Sequence, residues 1–149
     1  LDKLLLVGME LTGVSPPDIA KLWSRFRERV TEIGDRGEPE WIRYAFIELT
    51  GEQWEVAYTA CVEVRGADRI PEGMAFKEVP ANTYAVFTHR GTTAKLGDTF
   101  QYIYGSWLPR SGKVRANAPE FARYDDRYFG PADERSAFDI YIPIDPVPL

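Results

Sequence analysis

The chain is poor in the residues that build reactive or cross-linked sites. Cys61 and His89 are its only cysteine and its only histidine in 149 residues. No disulfide can close within the chain, and no Cys/His cluster can hold a metal; a reducing compartment, the cytoplasm, fits that composition. Long apolar runs are missing too. The longest early one, Leu4 to Val7, is too short for the core of a signal peptide or for a membrane span. Positive charge is not in excess: the net charge is −5 and the pI is near 5.0. Phosphate contacts need a basic patch, so no direct nucleic-acid contact is expected of this chain. That leaves open an attached DNA-binding segment in a longer parent protein. An acidic domain mildly favours cationic partners. Neither a calcium-loop spacing nor a glycine-rich phosphate loop occurs, and no cofactor is expected. The chain starts at Leu1 rather than Met, so either a trimmed domain or a start further upstream is expected.

What is present is aromatic. Phe, Trp and Tyr make up 13% of the residues, enough for a core and for the lining of a binding cleft. The length suits one domain with a real core. Leu4 to Leu11 reads as a strand, broken by Gly13 to Pro17, with Ser15 or Asp18 as helix cap. Ile19, Leu22, Trp23, Phe26, Val30 and Ile33 fall at helical spacing on one face, and Gly34 supplies a stop. Trp41 to Leu49 and Trp54 to Val64 read as a hairpin around a turn at Thr50 to Gln53. A connector, 66–80, carries a short strand at Met74 to Glu78.

The order then repeats. Asn82 to His89 is a strand, and Gly91 to Thr93 opens a helix. Leu96, Phe100, Ile103, Tyr104 and Trp107 share a face of that helix; Gly105 within it is expected where another backbone passes close. Glu120 to Phe129 and Ser136 to Ile144 are strands, and Asp145 to Leu149 a tail. Gly13 and Gly91 hold equivalent places about 78 positions apart. The expectation is an α+β fold of duplicated strand-helix-strand-strand halves with pseudo-twofold symmetry: half one about 1–65, half two about 81–144. Each half is an antiparallel sheet with one main helix on its apolar side. The opposite sides of the two half-sheets would face a central ligand cleft, a common kind of ligand site.

Asn117 to Tyr128 (NAPEFARYDDRY) is the stretch that points to a site. Side chains alternate along a strand. Glu120, Ala122, Tyr124 and Asp126 therefore share one side; Phe121, Arg123 and Asp125 take the other. In the last strand Phe138, Ile140, Ile142 and Ile144 would cover a helix, while Ala137, Asp139, Tyr141 and Pro143 face away. A pocket wall of Glu120, Ala122, Tyr124 and Tyr141 follows; an exposed sheet face with scattered tyrosines is the competing reading. Trp107 is either a flat platform for a planar or cationic ligand or plain core. Tyr44 and Phe46 fall by the repeat near Ala122 and Tyr124, and are candidates for the facing wall or for ordinary core. Nothing pairs His89 with Cys61, which reads as a small buried residue.

Four segments resemble GyrI-like (gyrase-inhibitor-like) domains: Pro80 to Gly91 (PANTYAVFTHRG), Tyr104 to Gly112 (YGSWLPRSG), Pro119 to Tyr124 (PEFARY) and Ile140 to Ile144 (IYIPI). They cover the second half in register, and the first half fits in layout. The resemblance implies the duplicated fold with a central cleft and a role as an effector-binding part of AraC-type or MerR-type transcription regulators, or as a stand-alone domain. It implies bulky, apolar, often cationic ligands and a multidrug type of binding. Some stand-alone members are similar to hydrolases of cyclopropane-containing toxins, and a gyrase-interacting protein is a further alternative. The family places a glutamate at the cleft floor two residues before the tyrosine of the penultimate strand. Here that position is Ala122, so the ligand-pairing or acid/base role of that glutamate is not expected. Glu120 shares the strand side but sits about 6 to 7 Å along. A cleft without the carboxylate should favour neutral, aromatic or larger ligands, held by Tyr44, Trp107, Tyr124 and Tyr141, and weak or no turnover is expected.

Overall fold

The computed structural model describes residues 2–13, 16–50, 55–66 and 69–146. The fold is α+β with antiparallel sheets, and the chain divides into two compact units, Asp2–Ala81 and Asn82–Leu149. The predicted Ser15 cap and the turn at Gly51 to Gln53 lie outside the described residues.

In the first unit β1 (Leu4–Thr12) leads into α1 (Pro16–Arg29), then β2 (Arg43–Thr50), β3 (Glu55–Glu63) and β4 (Ala75–Val79). The strands lie in the order β4-β1-β3-β2, each antiparallel to its neighbour. The apolar stripe of α1 is sequestered as its spacing requires: Leu22 and Phe26 are buried. Full burial of one such side chain contributes about 1.5–3 kcal/mol. Trp23 Nε1 donates to Tyr58 Oη at 2.9 Å, which sets α1 on the face of β3 that carries Tyr58. Because α1 begins at Pro16, Asp18 sits in its first turn and not at its cap. The helix stops at Arg29 and tightens into a 3₁₀ turn over Val30–Glu32. The left-handed residue beyond it is Asp35, not Gly34. Gly8 does require the absence of a side chain: a Cβ there would run into the carbonyl oxygen of Ala60 and lie 2.6 Å from Cys61 Cα.

The second unit repeats the order. β5 (Tyr84–Arg90) ends at Gly91, whose φ of +105° suits glycine. α2 (Leu96–Tyr102) continues as a π-helical turn, Ile103–Trp107, and a last turn, α3 (Leu108–Arg110). Gly105 lies within the π turn, and its nearest neighbour for a Cβ is Gln101 Cγ at 3.9 Å; the expected close backbone is not there. A strand absent from the sequence reading, β6 (Lys113–Arg115), pairs with the far end of β8 (Ala137–Pro146). That pairing draws Asp145 and Pro146 out of the expected tail. β7 is short, Glu120–Tyr124. It stops where Asp125 accepts from the Arg127 backbone N–H at 3.0 Å and turns the chain. β8 lies between β7 and β5, antiparallel to both.

Candidate functional site

The register of the second unit decides which side chains share a face. Ala122 lies opposite Ile140, and Ile140 opposite Phe87. Residues paired across strands point the same way, so Ala122, Ile140 and Phe87 form a row. The next row contains Phe138 and His89, and the Tyr124 ring lies 4.7 Å from that of Phe138.

This is the face that carries the helix. Trp107 meets Phe87 edge-on, with ring centroids 5.0 Å apart. His89 Nδ1 lies 2.6 Å from Thr99 Oγ1 in α2, and Nε2 lies 2.9 Å from the Thr92 carbonyl oxygen. A carbonyl can only accept, so Nε2 carries a proton; in the neutral ring Nδ1 accepts from Thr99. His89 is thus a buried strut of the β5–α2 junction.

The same face holds a polar group. Tyr104 Oη donates to Glu120 Oε2 at 2.8 Å. Arg115 Nε donates to Tyr104 Oη at 3.3 Å, and Arg115 Nη2 lies 3.5 Å from Glu120 Oε2. Burial, and then the adjacent Glu120 charge, push the Tyr104 phenol up to about 12. The carboxylate nearest Ala122 along the strand is therefore already neutralised by a guanidinium and tied to a phenol. Arg115 was missed in the sequence because it stands on the three-residue β6, too short for a periodic signal. Tyr104 was visible only as one member of a helical stripe.

Tyr141 does not join this group. It pairs with Phe121, and the two rings stack 4.5 Å apart at 12° on the helix-free face. Tyr84 packs edge-on against both; its hydroxyl is buried without a hydrogen-bond partner among the described residues. Beyond them Arg127 bridges Asp125 and Asp139 at 2.9 and 2.8 Å. The expected wall of Glu120, Ala122, Tyr124 and Tyr141 thus divides between two faces. Ala122 shares its face with the isoleucines, because Phe121 rather than Ala122 is the residue across from Tyr141.

In the first unit Tyr44 pairs with Cys61 and Phe46 with Thr59. Both lie on the face away from α1, since Tyr58 carries the helix contact and its neighbours in β3 point the other way. Ala45, opposite Ala60, stands on the α1 side, so Ala45 and not Tyr44 shares with Ala122 the helix-bearing side of its unit. Tyr44 and Phe46 are buried. Lys77 spans the ground beside them, 2.5 Å from Glu10 Oε2, 2.7 Å from Glu48 Oε1 and 5.9 Å from the Phe46 ring centre. Cys61 is buried, and burial pushes its thiol up, which suits an inert core residue. A depression of about 620 Å³ beside the outer side of α1, lined in part by Leu11, Asp18, Lys21 and Arg25, holds none of the candidate residues. No described helix is long and apolar enough to cross a membrane.

Known proteins agree with this architecture. The transcriptional regulator BrlR of Pseudomonas aeruginosa is 41% identical over 140 residues, which are 93% of this chain and 51% of BrlR. The chain thus spans about half the length of that curated relative. The structure of SAV2435 bound to tetraphenylphosphonium superposes with a TM-score of 0.74 at 18% identity, covering 97% of this chain and 90% of that one. The EcmrR C-terminal domain superposes with a TM-score of 0.77 at 16% identity, covering 99% and 94%. The family described as the GyrI-like small molecule binding domain matches residues 1–145, and the chain belongs to it.

Proposed function

We propose that the helix-bearing face of the second unit receives an aromatic or amphipathic small molecule, uncharged in preference to cationic, and that the chain is the effector-binding part of a cytoplasmic transcription regulator. The observation that carries the ligand class is the row Ala122–Ile140–Phe87 capped by Trp107. It is an apolar strip with an indole at one end and a methyl group where a carboxylate would favour a cation. Trp107 and Tyr124 supply flat apolar area at low entropic cost, and Ala122 presents only a methyl group on that face. Tyr44, Phe46 and Tyr141, on helix-free faces, take no part in this reading.

SAV2435 is bound to tetraphenylphosphonium in its structure. That cation and triphenylphosphine oxide, a neutral aryl compound, form a test pair. Tryptophan fluorescence titration is expected to show tighter binding of the neutral compound, and Trp107→Leu to weaken it roughly tenfold, the scale of one buried aromatic contact. Equal or tighter binding of the phosphonium, or an unchanged affinity in Trp107→Leu, would sink the proposal. In a regulator such a ligand acts only through its differential affinity for two states of the whole protein.

A further inference from the structure

The charge of this face is set by a residue that no feature of the family match points to. Glu120 lies on the same strand side as Ala122, two residues away, about 6 to 7 Å along the strand. Its carboxylate could serve a cationic ligand from there, but Tyr104 donates to it at 2.8 Å and Arg115 stands 3.5 Å from the same oxygen. The Glu120 side chain is 17% exposed and that of Arg115 is 35%. The guanidinium is also anchored, since Arg115 Nη1 donates to the Ala116 carbonyl at 2.9 Å. Ala116 N–H in turn donates to the Pro143 carbonyl at 2.9 Å, which ties this stretch to β8.

We propose that Arg115 is a specificity-determining residue: by neutralising Glu120 it withholds that carboxylate from cationic ligands. This rests on the ligand site proposed above. The short β6 exists in register with the end of β8, and that pairing places the guanidinium beside Glu120. Tyr104 assists by occupying the carboxylate oxygen that would otherwise face a bound cation. Removing the guanidinium leaves a partly desolvated carboxylate with one phenol donor and no counter-charge, and a ligand cation becomes the natural replacement.

The test compares tetraphenylphosphonium with triphenylphosphine oxide on the wild-type chain, Arg115→Met, Arg115→Lys and the double variant Arg115→Met/Glu120→Gln, each checked for fold by circular dichroism. Arg115→Met is expected to bind the phosphonium roughly tenfold more tightly, the scale of a charge pair about 12 Å apart at an effective dielectric constant of about 20. Its affinity for the neutral compound should stay within about twofold, because no apolar contact changes. Arg115→Lys should keep the wild-type ratio, and the double variant should return to it. A wild-type chain that binds the neutral compound, with the phosphonium affinity unmoved in Arg115→Met, would overturn the role of Arg115 alone. A gain that survives in the double variant would show that Glu120 is not its source and would overturn it as well. A wild-type chain that binds neither compound would remove the ligand site and, with it, this inference.

Discussion

Ala122→Glu asks the structure for a number. Ala122 is 6% exposed and lies opposite Ile140 on the helix-bearing face. A glutamate there is transferred from water, where its pKa is about 4.3, into a strip of alkyl and aromatic groups, and the guanidinium of Arg115 is already paired with Glu120. Desolvation disfavours the charged form and raises the folded-state pKa; a rise of about 2 units costs ~2.7 kcal/mol once the group must ionise. The folded state then holds the proton more tightly than the unfolded one. Stability of the variant is unaffected by this group below pH ~4, falls as pH rises through the unfolded and then the folded value, and levels off above pH ~7. Urea midpoints at pH 4 and pH 7.5, corrected for the wild-type change, should therefore differ by ~1–2 M for a slope of about 2 kcal/mol/M. Tetraphenylphosphonium at pH 7.5 should recover part of the loss, because a bound cation lowers the pKa again. A midpoint difference independent of pH would show that residue 122 faces water and would refute the register argument.

Two glycines should respond in opposite directions. Gly8→Ala drives a methyl group into the Ala60 carbonyl and is expected to destabilise by about 3 kcal/mol or more, whereas Gly105→Ala, with nothing nearer than 3.9 Å, should be neutral or stabilising by up to about 0.8 kcal/mol; urea melts of both separate the cases. Lys77→Met strands two carboxylates around a missing ammonium, for a loss of about 1–2 kcal/mol after allowing for partial exposure. In the wild-type chain burial opposes the Lys77 charge, but Glu10 and Glu48 outweigh it and raise its pKa. That contribution is complete below the unfolded lysine value, about 10.4, and is lost as pH rises through the higher folded one, so the urea midpoint of Lys77→Met should fall less at alkaline pH than that of the wild type. His89→Phe keeps an aromatic ring but takes its partner from the Thr99 hydroxyl, while the Thr92 carbonyl still accepts from the Lys95 N–H at 3.1 Å, a cost of about 1–2 kcal/mol visible as a lower thermal midpoint.

The elements were legible because their signals are local. The stripe from Ile19 to Ile33 and the run from Tyr84 to His89 each show their period over enough residues to be read. What failed was short or non-local. β6 has three residues, too few for any period, and exists because the end of β8 offers it a partner. The π turn at Ile103–Trp107 keeps apolar residues at spacings an α-helix would also show, so the sequence of Tyr104 and Trp107 reads the same either way. The end of α1 fell to Arg29 rather than Gly34 because the chain tightens into a 3₁₀ turn first; a glycine permits a stop without compelling one. Glu120 read as the carboxylate of a pocket wall with no partner named, because Arg115 reaches it through a strand pairing no window of sequence contains.

The grouping of site residues failed for a different reason. Alternation fixes which residues of one strand agree with each other, but not which parity of its neighbour they match. Within β7 the set Glu120, Ala122, Tyr124 was right, and within β8 the set Phe138, Ile140, Ile142 was right. Joining them needed one further fact, the pairing of Ala122 with Ile140, and a choice by chemistry set polar with polar. The actual match sets an alanine and a held glutamate beside isoleucines. Arg115 and Tyr104 offset the cost of a partly buried carboxylate there, and Tyr141 stacks on Phe121 on the other face. The same parity moved Tyr44 and Phe46 to the face away from α1 and left Ala45 in their place. Ala45 in β2 and Ala122 in β7 therefore each stand on the side where their own unit carries a helix. If both are there to leave room rather than by chance, enlarging Ala45 to Leu should cost stability without touching ligand affinity on the second unit, while Ala122→Leu should lower that affinity at least tenfold; equal effects of the two on the binding of triphenylphosphine oxide would break the assignment of the site to Ala122.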